Sequence, residues 1–308
     1  MKILITGAAG FIGSHIADRY LQLGHEVIIV DNLITGQREN IPAKARFYEM
    51  DIRDEKLSTV FQKEKPDLVN HHAAQMDVRK SVADPIYDAQ VNVLGTLNLL
   101  QNCIKYNVEK FIFASTGGAI YGEQDYFPAD EKHPLRPLSP YGITKLTTEK
   151  YLYFYQQSYG LKYTILRYAN IYGPRQNPHG EAGVVAIFSE RLLEGKQPLI
   201  NGDGLQTRDY VYVGDVVNAN QLALEKGDNK IYNIGTGIET NVNELFAFLT
   251  KAVGIHMAEK HAPVKAGEQR RSVLSSKYIE DDLGWKPSLK MGEGIPKTVA
   301  FFKNKLTK

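Results

Sequence analysis

The sequence predicts an α/β protein: a doubly wound parallel sheet with a smaller mixed α/β unit after it. Three observations carry this. Short apolar runs alternate with amphipathic ones as far as residue 168, the order that gives parallel strands joined by helices. Most of the apolar runs are continuous, as strands covered on both faces require. A Pro/Gly/Asn-rich stretch, NIYGPRQNPHGEAG from Asn170, then breaks the pattern. At 308 residues the chain exceeds what one core usually serves. The expected division is 1–168 for the sheet and 169–308 for the smaller unit, with segments near 208–234 returning to the sheet.

Taken in order, strands are expected at 2–6, 26–30, 46–50, 67–70, 110–114 and 163–168. Helices are expected at 11–23, 55–64, 85–106 and 141–159. The second part predicts a helix at 183–194, short strands near 199–212, a helix at 215–226 and a strand at 231–234. A helix at 242–253 and two helical stretches after 276 complete it. A parallel sheet of this kind binds ligands beyond the carboxyl ends of its strands.

The first strand and helix are separated by TGAAGFIG, which places Gly7, Gly10 and Gly13 at three-residue intervals. Glycines there permit a tight turn and close approach of the backbone to a pyrophosphate, and the helix from Phe11 directs its free amides at the anion. Asp31 ends the second strand, 18 residues after Gly13. A carboxylate at that point accepts hydrogen bonds from an adenosine ribose and repels a 2′-phosphate, which favours NAD over NADP. The alternative is a glycine-rich turn with a helix-capping Asp.

SPYGITK places Tyr141 and Lys145 one helical turn apart, with Pro140 at a favourable helix start. A free tyrosine is only ~0.1% ionised at neutral pH, a deficit of ~4 kcal/mol. A neighbouring ammonium and a cationic nicotinamide shrink that deficit, so Tyr141 suits a general base for a hydroxyl. Tyr106 and Lys110 share the spacing but straddle a helix-to-strand junction, and their pairing reads as accidental. FIFASTGGAIYG ends an apolar strand at Ser115 and Thr116, where hydroxyls can bond a substrate's reacting oxygen; ordinary turn residues are the alternative.

The remaining composition excludes other chemistries. With 37 basic and 35 acidic residues, the net charge of +2 gives no reason to expect nucleic acid or a membrane as partner. Cys103 is the only cysteine, which excludes an internal disulfide and any cysteine-rich metal site. It lies in NLLQNCIKY and reads as a buried structural thiol. No run approaches the ~18 apolar residues that span a bilayer, so a cytoplasmic setting is expected. His71 and His72 are neighbours on a strand end and point to opposite faces. Core or loop roles are expected for them, and no metal site.

Together these residues resemble the extended short-chain dehydrogenase/reductase family, and within it the UDP-glucose 4-epimerase branch most. The resemblance runs through NVLGT, SPYGITK, LRYANIYGPR, GDGLQTRDYVYVGDVV, YNIGTG and LGWKP, and includes the 25-residue interval from Thr116 to Tyr141. It implies a Rossmann-type fold with NAD as cofactor and a UDP-sugar as substrate. It also implies a homodimer built on helices 85–106 and 141–159. By position, Phe11, Ile12, Asp31, Asn32, Asp51 and Ile52 would surround the adenosine half of NAD. Ala73, Ala74, Gln75, Asn92, Ser115, Tyr141, Lys145 and Tyr168 would line its remaining length. Asn170 and Arg208 match positions that hold the sugar nucleotide's diphosphate; a surface ion pair is the alternative for Arg208. Thr116, Tyr141 and Lys145 are the implied catalytic group.

Departures narrow the activity. Related 4,6-dehydratases carry an Asp-Glu pair directly after the strand-end Thr, and uronate decarboxylases keep an acid there. Here those places are Gly117 and Gly118, which cannot exchange protons. A 3,5-epimerase would use a Cys near this region, and Cys103 is on the wrong element. The family's Arg-x-Gly-Asp/Glu phosphate segment begins with Lys265 and ends with Glu268 here, leaving Arg270 and Arg271 as substitutes for the missing Arg. The small Ser272 falls where bulk excludes N-acetyl groups, so both hexoses and N-acetylhexosamines are expected to fit. A 4-epimerase of a UDP-hexose is therefore the expectation. The rivals are a UDP-glucuronate 4-epimerase, a sugar-nucleotide oxidoreductase with net redox, and a non-catalytic NAD-binding scaffold.

Overall fold

The computed structural model describes residues 1–179, 183–264 and 269–307. Its main sheet has seven parallel strands: β1 (Lys2–Thr6), β2 (Glu26–Asp31), β3 (Arg46–Glu49), β4 (Leu68–His71), β5 (Lys110–Thr116), β6 (Lys162–Tyr168) and β11 (Lys230–Ile234). Their order is β11-β6-β5-β4-β1-β2-β3. Among the described residues three two-stranded pieces lie outside it. They pair β7 (Asn170–Tyr172) with β10 (Tyr210–Tyr212), β9 (Thr207–Arg208) with β12 (Thr240–Asn241), and β8 (Ile200–Asn201) with β13 (His261–Ala262).

The helices are α1 (Phe11–Gln22), α2 (Leu57–Glu64), α3 (Val78–Ala83), α4 (Pro85–Ala89), α5 (Gly95–Lys105), α6 (Gly117–Ile120), α7 (Pro140–Tyr159), α8 (Val184–Leu193), α9 (Val213–Glu225), α10 (Val242–Val253), α11 (Lys277–Leu283) and α12 (Met291–Leu306). Strand pleating sends alternate residues to opposite faces. Ile3 and Ile5 of β1 therefore pack with Ile16 and Tyr20 of α1 and Val216 of α9. Leu4 packs on the other side with Phe61 of α2, Leu99 of α5 and Leu152 of α7. Each such side chain withdrawn from water contributes ~1.5–3 kcal/mol. A third cluster draws only on residues after 169, among them Phe188, Leu245, Phe246 and Ile295.

Local chemistry sets the ends of the helices. Ser139 caps α7 by accepting from the Gly142 amide at 3.2 Å, Pro140 occupies its first position, and Gly160 ends it in the left-handed region. Asn241 and Glu244 form a reciprocal capping box on α10.

The expected helix 85–106 is one run interrupted by a π-helical turn at Gln90–Leu94. The wider turn accompanies Asn92 reaching away from its own helix to the loop after β4. The short α3 was not anticipated; Asp77 caps it by accepting from the Arg79 and Lys80 amides. Among the described residues no helix is long and apolar enough to cross a membrane.

Candidate functional site

Strand order reverses between β1 and β4, and a cleft of about 290 Å³ opens there beyond the strand ends. Its floor is the turn from β1 to α1. Gly7 has φ +71°, and a Cβ on it would lie 2.6 Å from the Ala73 amide nitrogen. A Cβ on Gly13 would lie 2.6 Å from the Gly7 carbonyl oxygen. Only glycine fits either place. No side chain caps α1 and its first turn holds no acid, while Gly10, Phe11, Ile12 and Gly13 line the cleft. The positive end of the helix is thus offered to an anion.

Asp31 stands at the rim of this floor. Its carboxylate accepts from the Ala9 amide at 2.9 Å and the Leu33 amide at 2.8 Å. Burial pushes its pKa up, and those two amides oppose the shift. Beyond it, Asn32 donates to Asp51 at 2.8 Å, and Asp51 is gripped by Arg53 at 2.8 and 2.9 Å. The Arg53 hydrogen bond brings the Asp51 pKa down to about 2. Ile52 lies alongside on the cleft wall.

The loop after β4 supplies Ala73, Ala74 and Gln75 to the opposite wall. Asn92 holds this loop from behind: it accepts from the Gln75 amide and donates to the Gln75 carbonyl, both at 2.9 Å. Asn92 is buried and lies behind the cleft lining, which it meets through the backbone of Gln75.

The third wall joins β5 to α7. Tyr141, Lys145 and Tyr168 face the cleft. The Lys145 ammonium donates to the Ala114 carbonyl at 2.8 Å and lies 4.8 Å from the Phe113 ring centre and 5.9 Å from that of Tyr141. Burial lowers its pKa to about 8, against the pull of the Asp88 and Glu149 carboxylates. Ser115 also lines the cleft, but its hydroxyl is directed away, donating to Glu149 at 2.6 Å. Asn220 donates to the Tyr168 hydroxyl at 2.8 Å, and burial raises the pKa of that phenol.

Thr116 is half-buried at the end of β5, beside the cleft rather than on its lining. A Cβ on Gly118 would lie 3.9 Å from both Thr116 Oγ1 and Asn170 Oδ1, so these two groups flank the space that the glycine leaves. Gly117 is different: a Cβ there would lie 2.3 Å from the Leu274 side chain. Arg208 is half-buried in β9 and donates to the Thr207 carbonyl at 2.8 Å. Ser272 is buried, and its neighbour Val273 donates its amide to Gln124 at 3.1 Å. Arg270 is paired with Asp203 and Arg271 with Glu239. Lys265 and Glu268 lie outside the described residues.

Sequence reasoning missed several lining residues. His72, expected in a core or loop role, is on the cleft wall with its ring 6.1 Å from that of Tyr168 and nearly parallel to it. His71 is a core residue bonded to Thr6 and Thr96. Lys80 and Tyr87 also line the cleft, with the Lys80 ammonium 4.8 Å from the Tyr87 ring centre. Tyr106 and Lys110 have separate partners, Ser58 and Asp228. Asp88 went unnoticed, although Asp88, Asn92 and Thr96 repeat polar residues at one-turn spacing along an otherwise packed face. Among the described residues no cluster of three His, Cys, Asp or Glu is placed to hold a metal ion.

A glycine floor under an open helix end, a ribose-height carboxylate and an apolar far wall with a buried ammonium fit an adenine dinucleotide. A model of the NAD dependent epimerase/dehydratase family matches residues 3–235. The chain is 50% identical over 302 residues to a putative UDP-glucose 4-epimerase of Methanocaldococcus jannaschii, covering 98% of each chain. It is similar to the crystal structure of the Thermotoga maritima UDP-glucose 4-epimerase with UDP-glucose, at 52% identity and TM-score 0.98, over 99% of this chain and 100% of that one. It is also similar to the Thermus thermophilus UDP-glucose 4-epimerase in complex with NAD, at 49% identity and TM-score 0.94, over 98% and 99% of the two chains. Similarity of this extent makes the chain a member of the NAD dependent epimerase/dehydratase family.

Proposed function

We propose that this protein is a UDP-glucose 4-epimerase that works through bound NAD and interconverts UDP-glucose and UDP-galactose. One observation carries the reading beyond family membership. Tyr141 and Lys145 share the cleft wall, and the ammonium is fixed to the end of the strand that presents Thr116.

In this reading Gly7, Gly10, Phe11, Ile12 and Gly13 receive the cofactor's pyrophosphate. Asp31, Asn32, Asp51 and Ile52 hold its adenosine half, and Ala73, Ala74, Gln75, Ser115 and Tyr168 bound the rest. Asn92 supports that wall through Gln75. Bound NAD supplies a transient acceptor for the C4 hydride. Tyr141, ionised with help from Lys145, takes the proton of the sugar's C4 hydroxyl, and Thr116 bonds the same oxygen. The 4-keto sugar turns over while Asn170, Arg208, Lys265 and Glu268 keep the nucleotide anchored, and Tyr141 returns the proton when the opposite face is reduced. Glycines at 117 and 118 leave no side-chain acid or base there for eliminating water. Residues 1–168 form the cofactor unit in this reading, and 169–308 the substrate unit with segments near 208–234 returning to the sheet.

A homodimer belongs to the same proposal. Ile86, Leu94, Ile143, Tyr153 and Phe154 on α4, the π-helical turn and α7 are between 49% and 70% exposed, more apolar surface than a lone helix pair needs to show.

Incubating purified protein with UDP-glucose, UDP-galactose, UDP-GlcNAc, UDP-GalNAc and UDP-glucuronate, then resolving products by NMR, tests the reading. Interconversion of the first pair with no lasting change at 340 nm is expected. The buried, small Ser272 adds the N-acetyl pair as a second expectation. Stoichiometric NADH accumulation, or no interconversion by NAD-loaded protein, would remove the proposal.

A further inference from the structure

Asp88 has no exposed surface. Its carboxylate takes three side-chain hydrogen bonds: from Gln75 Nε2 at 2.9 Å, Asn92 Nδ2 at 3.1 Å and Thr144 Oγ1 at 2.8 Å. Those donors come from the loop after β4, the π-helical turn and α7, so one buried group ties together the elements that make two walls of the cleft. All three are neutral, and none balances its charge. Glu149 contrasts with it, because Arg167 neutralises that carboxylate at 2.6 Å. Thr144 immediately precedes Lys145, whose ammonium is buried at the same junction.

We propose that Asp88 is a positioning residue for the epimerisation: from behind the cleft wall it locks Gln75, Asn92 and Thr144 together and holds a buried carboxylate, unneutralised by its donors, beside the turn of α7 that carries Lys145. The inference rests on the function proposed above. The groups whose charge bears on Lys145 are Tyr141 and Glu149 on its own helix, His71 at the end of β4, His72 in the loop just after it, and Asp88 on α4. Burial lowers the pKa of both histidines, so both are neutral at working pH. Glu149 divides its charge between Lys145 and Arg167. Of the two carboxylates, Asp88 raises the lysine's pKa more. The hydrogen bonds explain why it is held there, and the charge explains what it does.

The test compares NAD-loaded wild type with Asp88→Asn, which keeps the shape and removes the charge. The alkaline limb of the kcat profile is expected to move down by about one pH unit or more in Asp88→Asn, because the variant loses a charge that favours the Lys145 ammonium. A purely structural role would lower the melting temperature and leave the limb in place, which would overturn the proposal. Should Asp88→Asn fail to fold, Lys145→Met decides. Removing the cation leaves the buried Asp88 carboxylate uncompensated, so Asp88→Asn added to Lys145→Met is expected to fold and to melt no lower than Lys145→Met alone at saturating NAD. A double variant that also fails to fold, or melts well below Lys145→Met, overturns the coupling. This thermal readout does not depend on turnover, so a protein that proves not to epimerise UDP-glucose still reports on the Asp88–Lys145 pair.

Discussion

The Lys145 ammonium is 2.8 Å from the carbonyl oxygen of Ala114. That single bond joins α7 to the end of β5 where the cleft opens, so the tyrosine one turn before Lys145 and the threonine two residues after Ala114 share a frame. The phenol and the hydroxyl that the proposed reaction brings to one substrate oxygen are thereby referenced to one backbone atom.

Replacing Tyr141 by Phe removes the proposed base while keeping the ring. The protein is expected to fold, retain NAD and melt as wild type does, while kcat falls by ~10²–10⁴ or more. A coupled assay from UDP-galactose reads this directly. Unaltered turnover would dismiss Tyr141 as the base.

Two glycines should behave oppositely. Gly7→Ala places a side chain at positive φ and 2.6 Å from the Ala73 amide nitrogen, so a loss of at least ~1–3 kcal/mol and of NAD binding is expected. Gly118→Ala meets its nearest neighbours only at 3.9 Å. Thermal stability there is expected to stay within ~0.5 kcal/mol of wild type. Comparable melting losses in both variants would contradict the close approach at Gly7.

Asp31 offers a pH test. In the proposed complex the ribose hydroxyls would donate to the ionised carboxylate, and burial has raised its pKa. NAD affinity is therefore expected to be constant well above that pKa and to weaken as pH falls through it. Asp31→Ala should bind NAD more weakly at neutral pH and lose this dependence. Calorimetric titrations between pH 4.5 and 8 supply the comparison, and identical curves for the two proteins would count against the ribose contact.

Behind β5, Arg167 donates to Glu149 at 3.0 and 2.6 Å and to the Tyr121 hydroxyl at 3.0 Å. Both charges are almost fully buried. Arg167→Met alone should cost ~3–5 kcal/mol by leaving Glu149 uncompensated, and Arg167→Met combined with Glu149→Gln should recover part of it. Urea denaturation of wild type, Arg167→Met, Glu149→Gln and the double variant measures the coupling. Additive losses would mean the pair is not a unit.

For the proposed dimer, Ile143→Glu and Phe154→Glu set charge into the exposed apolar face of α7. Light scattering is expected to give twice the chain mass for wild type and less for each variant. A wild-type monomer would rule out the pairing.

Much of this was legible in the sequence because local rules were enough. The glycine spacing, Asp31 at a strand end and Ser139-Pro140 at a helix start each specify backbone geometry within a few residues. The π-helical turn was not legible, and the bonds that accompany it join Asn92 to the Gln75 backbone, 17 residues earlier in sequence. His72 and Asp88 escaped as well. Whether a polar side chain ends at a cleft wall or behind it is decided by neighbours the chain brings in from elsewhere.

The strand at the β6 edge of the sheet is β11, which enters more than 60 residues after β6 and pairs with it from Lys230↔Thr164 to Ile234↔Tyr168. A nascent or truncated chain that stops short of residue 230 therefore exposes β6 as an unpaired border, open to the borders of other copies. Fragments cut at the apparent boundary near 168 should aggregate, and the ribosome must release most of the polypeptide before the ligand-binding half can close its own flank.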